Sequence, residues 1–126
     1  MRLNQVTVPA LDVAQSIDFY RGLGLRLIVN AVPRYARFET PEAESTFSLH
    51  QVSKVAQEPG AIVYFECEDL DARVQRLQQA GYVFEQPPKD EPWLWREARL
   101  RDPSGNVICL YRAGEHRRFP PWRLQE

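Results

Sequence analysis

Charge of one sign is what this 126-residue chain lacks most plainly: 16 Lys and Arg stand against 17 Asp and Glu, a formal net charge of −1. Without a basic excess no field gathers nucleic acid or anionic lipid, so bulk binding to either is disfavoured. Long apolar runs are missing too. None approaches the ~20 residues that span a bilayer, and residues 1–5 carry no apolar core of a secretion signal. The expectation is a cytoplasmic protein that neither crosses nor enters a membrane. Cysteine is scarce, and Cys67 and Cys109 lie far apart with no CxxC spacing. That excludes a disulfide framework or a recognisable zinc site and suits a reducing compartment. Low-complexity segments are absent as well.

What remains is ordinary globular material. Hydrophobic residues at 44% and charged residues at 26% exclude wholesale disorder and a fibrous repeat. The length suits a single domain over 1–126 and is too short for two independent cores.

An internal repeat organises the chain. Asp12, Val13, Ile17, Tyr20 and Gly24 correspond to Asp69, Leu70, Val74, Leu77 and Gly81, each pair 57 residues apart. In both copies the apolar positions fall at i, i+4 and i+7, one stripe of an amphipathic helix. Asp12 and Asp69 are the expected N-caps, with Gln15 as a capping-box partner, and Gly24 and Gly81 are expected to stop the helices in the left-handed region. Alternating polarity predicts strands at 3–8 and 61–67 before the helices. Further strands are expected at 25–30, 35–39 and 46–52, and at 83–86, 94–101 and 106–112. Pro33, the 41–45 turn, Pro87-Pro88 and Asp102-Pro103-Ser104-Gly105 are the predicted breaks. Each half reads strand, helix, strand, strand, strand: module one 3–56, module two 60–112, a linker at 51–60 and a tail at 113–126.

These residues also carry a resemblance. Val8-Pro9-Ala10-Leu11-Asp12-Val13, with Ser16-Ile17-Asp18-Phe19-Tyr20 and Leu23-Gly24-Leu25, resembles the opening signature of the glyoxalase, bleomycin-resistance and extradiol-dioxygenase superfamily, also called vicinal oxygen chelate. Asp102-Pro103-Ser104-Gly105-Asn106 is similar to its DPxGN turn, and Glu68-Asp69-Leu70-Asp71 to its second helix start. Each motif alone is weak; the combination, over 3–112, is specific. It implies an α+β fold of two βαβββ modules forming a curled mixed sheet around a cleft, usually in a homodimer. That fold hosts lyases, isomerases, ring-cleaving oxygenases and drug-sequestering proteins, so it does not select a function.

The resemblance also implies metal positions, on the first and last strand of each module: Gln5, Ser48, Ile62 and Cys109. Family enzymes place His or Glu at most of them, whereas this chain offers an amide, a hydroxyl, a sec-butyl group and a thiol. A hard divalent ion gains little from that set, so no metal and no cofactor is expected. For Cys109 a soft metal and a small pocket-lining residue both stand as readings.

Strand alternation assigns faces. Val6, Val8, Phe47, Leu49, Val63, Phe65, Cys67, Leu94, Ala98, Leu100, Ile108 and Leu110 are expected in the core. The opposite face then gathers Tyr64, Trp95, Tyr111, His50, Glu97 and Arg99, besides the four metal positions. His50 reads either as an exposed strand residue or as a titrating catalytic group. Glu97 and Arg99, two apart on one face, read as a structural ion pair or as a site. The three aromatics read as a plug of core or as a stacking surface. In the tail, Phe119 and Trp122, held extended by Pro120-Pro121, are expected to dock on the body or on a partner subunit.

Two functions follow. One is a binding protein for a small aromatic or polar molecule, with Gln5, Ser48, Tyr64, Trp95, Arg99, Cys109 and Tyr111 as ligand contacts. The other is a lyase, isomerase or dioxygenase-type enzyme, metal-free on His50 and Glu97 or with a displaced metal on these two and Cys109; a structural or interaction module using the tail is a third, less favoured reading.

Overall fold

The computed structural model describes residues 1–58 and 60–125, so Pro59 of the expected linker and Glu126 of the expected tail lie outside the described residues. The fold is α+β, two four-stranded mixed sheets and two helices, organised as two compact units. Unit 1 holds Met1–Ala61 together with Asp102–Asn106; unit 2 holds Ile62–Arg101 and the chain from Val107.

In unit 1, β1 (Gln5–Ala10) leads to helix α1 (Val13–Leu23), then β2 (Arg26–Ala31), β3 (Tyr35–Glu39) and β4 (Thr46–Gln51), in the sheet order β1-β4-β3-β2. The parallel β1–β4 pairing needs a crossover, and α1 is its first element. Asp12 caps α1 by accepting the Gln15 amide at 3.0 Å, and Gly24 ends it at φ 115°. The apolar stripe Val13, Ile17, Tyr20 is buried with Phe38, Phe47 and Leu49 of the sheet. Tyr20 lies 4.6 Å from Phe47 and 5.9 Å from Phe38 between ring centroids.

Unit 2 repeats the order. β5 (Ile62–Glu66), α2 (Leu70–Gln79), β6 (Phe84–Asp90), β7 (Arg96–Arg101) and β8 (Val107–Arg112) build the sheet β5-β8-β7-β6, with β5 parallel to β8. Leu70, Val74 and Leu77 are buried, and Gly81 follows α2 at φ 99°. A 3₁₀ turn over Gly114–Arg117 follows β8. Among the described residues no helix is long and apolar enough to cross a membrane.

Four local expectations are corrected. Asp69 makes no side-chain cap; its carboxylate is drawn along the helix to Arg73 at 3.2 Å and Arg76 at 2.9 Å. Pro87-Pro88 does not end the strand: β6 continues through both because it is an edge strand, with register shifts against β7 where the prolines sit. Leu94 is not a core strand residue but a turn residue at φ 69°, half-exposed. Phe119 and Trp122 are 56% and 57% exposed in the single chain, so of the two docking surfaces expected the body is excluded and a partner subunit remains. Phe119 instead lies under the guanidinium groups of Arg118 and Arg123, 5.4 and 4.6 Å from its centroid.

Candidate functional site

The ladder of unit 2 sets two rows side by side. Tyr64 stands opposite Cys109 and Cys109 opposite Arg99; Glu66 stands opposite Tyr111 and Tyr111 opposite Glu97. Opposed residues share a face, so five of the expected site residues, Tyr64, Glu97, Arg99, Cys109 and Tyr111, come together there. Trp95 joins from the residue before β7, stacked on Tyr111 at 4.9 Å and 30°, while Tyr64 meets both rings edge-on at 5.9 and 5.4 Å. The three aromatics are thus a packed unit whose inner member, Tyr111, is buried and whose outer member, Tyr64, is 38% exposed. Burial pushes both phenols above their ordinary pKa. For Tyr111 the Glu66 carboxylate adds to the rise, and for Tyr64 Arg99 opposes it.

Glu97 is the polar centre of this face and is 1% exposed. A buried carboxylate needs partners, and three donors supply them: Arg99 Nη2 at 3.0 Å and the Cys109 thiol at 3.7 Å to Oε1, and the Trp93 indole N–H at 2.6 Å to Oε2. Arg99 Nη2 also lies 3.4 Å from the Tyr64 hydroxyl. Burial, then the Glu97 charge, push the Cys109 thiol up to about 12, so it is neutral at physiological pH. The hydrogen bond to Glu97 holds Arg99 above its ordinary value. Glu66 accepts the amides of Ala113 and Gly114 at 2.8 and 3.0 Å, and Trp95 donates to the carbonyl of His116 at 3.4 Å, so the start of the tail is tied to this face.

The other expected residues, Gln5, Ser48 and His50, lie on the sheet of unit 1. Ser48 is fully buried and accepts from the Gln5 amide at 2.9 Å; His50 is exposed, opposite Pro9 and Tyr35. The structure adds three residues that the sequence reading did not single out, Tyr35, Arg37 and Trp93. Tyr35 Oη lies 2.7 Å from Ser48 Oγ, and Arg37 Nε donates to Tyr35 Oη at 2.8 Å. The signal was available, since Ala36 and Phe38 face the core and alternation sends Tyr35 and Arg37 to the side of Ser48. Trp93 was also missed, and nothing in the sequence pattern points to it; it is the turn at Leu94 that places it by Glu97.

A family model of the Glyoxalase/Bleomycin resistance protein/Dioxygenase superfamily matches residues 2–110. The chain belongs to this superfamily. Among its relatives, the uncharacterized protein YraH of Bacillus subtilis (strain 168) is 27% identical over 127 residues, covering 89% of this chain and 98% of that protein. The anthracycline biosynthesis protein DauV of Streptomyces sp. (strain C5) is 30% identical over 120 residues, 82% of this chain, which spans only 44% of DauV's length. A solved glyoxalase/bleomycin resistance protein/dioxygenase from Nocardioides superposes with a TM-score of 0.76 at 25% identity, covering 99% of this chain and 90% of that one.

The divalent metal positions implied by the resemblance are Gln5, Ser48, Ile62 and Cys109, and the ladders put the two pairs at matching strand positions. Gln5 and Ile62 each open the first strand of their sheet; Ser48 and Cys109 each face its third residue, Thr7 and Tyr64. Their chemistry does not fit the ion. Gln5 and Ser48 bond to each other, Ile62 has no donor, and the Cys109 thiol is neutral. No group of three or more His, Cys, Asp or Glu suited to a metal occurs among the described residues.

Proposed function

We propose that this glyoxalase-superfamily chain is a small-molecule binding protein, without turnover and without a resident divalent metal. Its ligand carries an aromatic or conjugated plane with a polar or acidic group. One observation carries the reading: the packed trio Tyr64, Trp95 and Tyr111 presents the half-exposed Tyr64 ring beside the Arg99 guanidinium. Flat rings gain from stacking and edge contacts, and Arg99 fixes a polar end. Because Arg99 already holds Glu97, the pair is neutral overall and the ligand's polar group meets only the remaining Arg99 N–H groups. The relationship to a protein named for anthracycline biosynthesis is in keeping with a small organic ligand. The acid–base alternative through His50 and Glu97 is less favoured, because Glu97 would have to leave three donors to take up a substrate proton. The scarcity of cysteine, with Cys67 and Cys109 both buried, is in keeping with a reducing cytoplasmic setting. The homodimer implied by the family is part of the same proposal, and a monomer by light scattering removes it.

A thermal-shift screen of planar acidic, neutral and cationic aromatics finds the ligand class, since a native-state ligand raises the melting midpoint. Calorimetry on wild type, Arg99→Ala and Glu97→Gln then locates it. Affinity lost in Arg99→Ala supports the face described; affinity unchanged in both variants moves the site elsewhere, and turnover of any hit overturns the binding reading.

A further inference from the structure

The sheet of unit 1 has an outer face with its own organisation, independent of the aromatic face of unit 2. Register places Thr7, Ser48 and Arg37 in one row across β1, β4 and β3, with Gln5, Thr46 and Glu39 in the next. No apolar side chain stands in either row, although the reverse face is core. Hydrogen bonds run across it and converge on Tyr35. Gln5 Nε2 donates to Ser48 Oγ at 2.9 Å, Ser48 Oγ lies 2.7 Å from Tyr35 Oη, and Arg37 Nε donates to Tyr35 Oη at 2.8 Å.

Donor accounting gives this chain an outlet. A serine hydroxyl that accepts from Gln5 still has a proton to donate, and Tyr35 Oη can accept it together with the Arg37 Nε–H. The phenolic O–H of Tyr35 is then left to point away from both. Arg37 is fixed in orientation by its Nε bond and by lying 5.5 Å from the Tyr35 ring centroid. Its terminal nitrogens meet no carboxylate among the described residues, because Glu39, the acid on this face, is held by Arg26 at 3.0 Å.

We propose that Tyr35 and Arg37 form a carboxylate-binding subsite on unit 1, in which the two terminal nitrogens of Arg37 take the carboxylate end-on and the Tyr35 hydroxyl donates a further hydrogen bond. One guanidinium matches one negative charge, and its planar pair of N–H groups matches two carboxylate oxygens. The buried Ser48, anchored by Gln5, is the positioning residue that holds the phenol in place.

The test is an NMR titration that follows the Arg37 Nε–H signal, with benzoate as probe and benzamide as its uncharged counterpart, and calorimetry that measures benzoate affinity in the Arg37 variants, which lack that signal. Benzoate is expected to move the signal saturably and benzamide to leave it in place. Arg37→Gln should weaken benzoate binding about tenfold or more, Arg37→Lys should restore part of it, and Tyr35→Phe should weaken it about threefold. Arg37 is exposed and Tyr35→Phe keeps the ring, so unchanged melting midpoints certify the fold of these variants. Benzoate also has the features sought at Arg99, so the Arg37 signal must still move in Arg99→Ala; its persistence there separates this subsite from the aromatic face. A signal that benzoate leaves unmoved, equal response to benzamide, or equal benzoate affinity in Arg37→Gln overturns the proposal.

Discussion

Tyr20 donates its phenolic hydrogen to Asp102 Oδ2 at 2.5 Å, joining the last turn of α1 to a turn 82 residues later in the chain. The same carboxylate accepts the amides of Ser104 and Asn106 through Oδ1, each at 2.9 Å, and the Asn106 side chain through Oδ2 at 2.7 Å. The turn is fastened further where Ser104 Oγ accepts the Leu11 amide at 2.8 Å and Asn106 Nδ2 donates to the Pro9 carbonyl at 2.8 Å. The Asp-Pro-Ser-Gly-Asn motif is therefore a structural latch within unit 1. Burial, with the Asp102 charge beside it, raises the Tyr20 phenol far above its ordinary pKa.

Tyr20→Phe removes a charge-assisted bond and leaves a buried carboxylate short of one donor, at a cost of about 1–3 kcal/mol. Urea unfolding of Tyr20→Phe, Asp102→Asn and the double variant measures the coupling. A Tyr20→Phe protein as stable as wild type refutes the latch.

Alkaline pH should weaken the fold. The folded pKa of Cys109 is raised from 9.0 to about 12, and that of Tyr20 is raised too. Both groups stay protonated in the native state while the unfolded chain ionises, so their contribution is intact below about pH 9 and falls as pH climbs towards 12. Urea midpoints across that range check the sign, and Cys109→Ala should flatten part of the slope. The same burial predicts that a thiol reagent at pH 8 labels Cys109 only at the rate of unfolding; prompt labelling of the native protein counts against it.

Arg99→Ala should destabilise more than Glu97→Gln, by on the order of 1–3 kcal/mol. The first leaves a buried charge with only an indole and a thiol; the second leaves a guanidinium that already reaches solvent, its side chain 28% exposed. Adding Glu97→Gln to Arg99→Ala should recover part of the loss. The reverse order in a denaturation series refutes the account of Glu97.

Elemental analysis of protein purified without chelator should show substoichiometric divalent metal, and EDTA should leave the melting midpoint unchanged. About one metal per chain, lost in Ser48→Ala, restores the family's usual site.

Much of the framework was legible because it is written in local chemistry. The 57-residue repeat located both helices, Asp12 and Gly24 behave as cap and stop, and alternation placed Phe47, Leu49, Val63 and Ile108 in the core. The failures share a cause. Asp69 looks like Asp12 in sequence, but Arg73 and Arg76 compete for its carboxylate. Pro87-Pro88 breaks a central strand but not an edge strand, and edge position is a property of the sheet order.

By itself the sequence determined the duplicated strand-helix-strand order, the polarity of each sheet face and the poverty of metal donors at Gln5, Ser48, Ile62 and Cys109, since these depend only on periodicity and side-chain type. Tertiary structure alone decided which polar groups meet. Glu97 finds Trp93 and Cys109 beyond the Arg99 that strand alternation already set beside it, Tyr35 finds Ser48 and Arg37, and Tyr20 finds Asp102. Hydrogen bonding acts over about 3 Å, and only the folded ladders and turns bring residues distant in sequence within that reach.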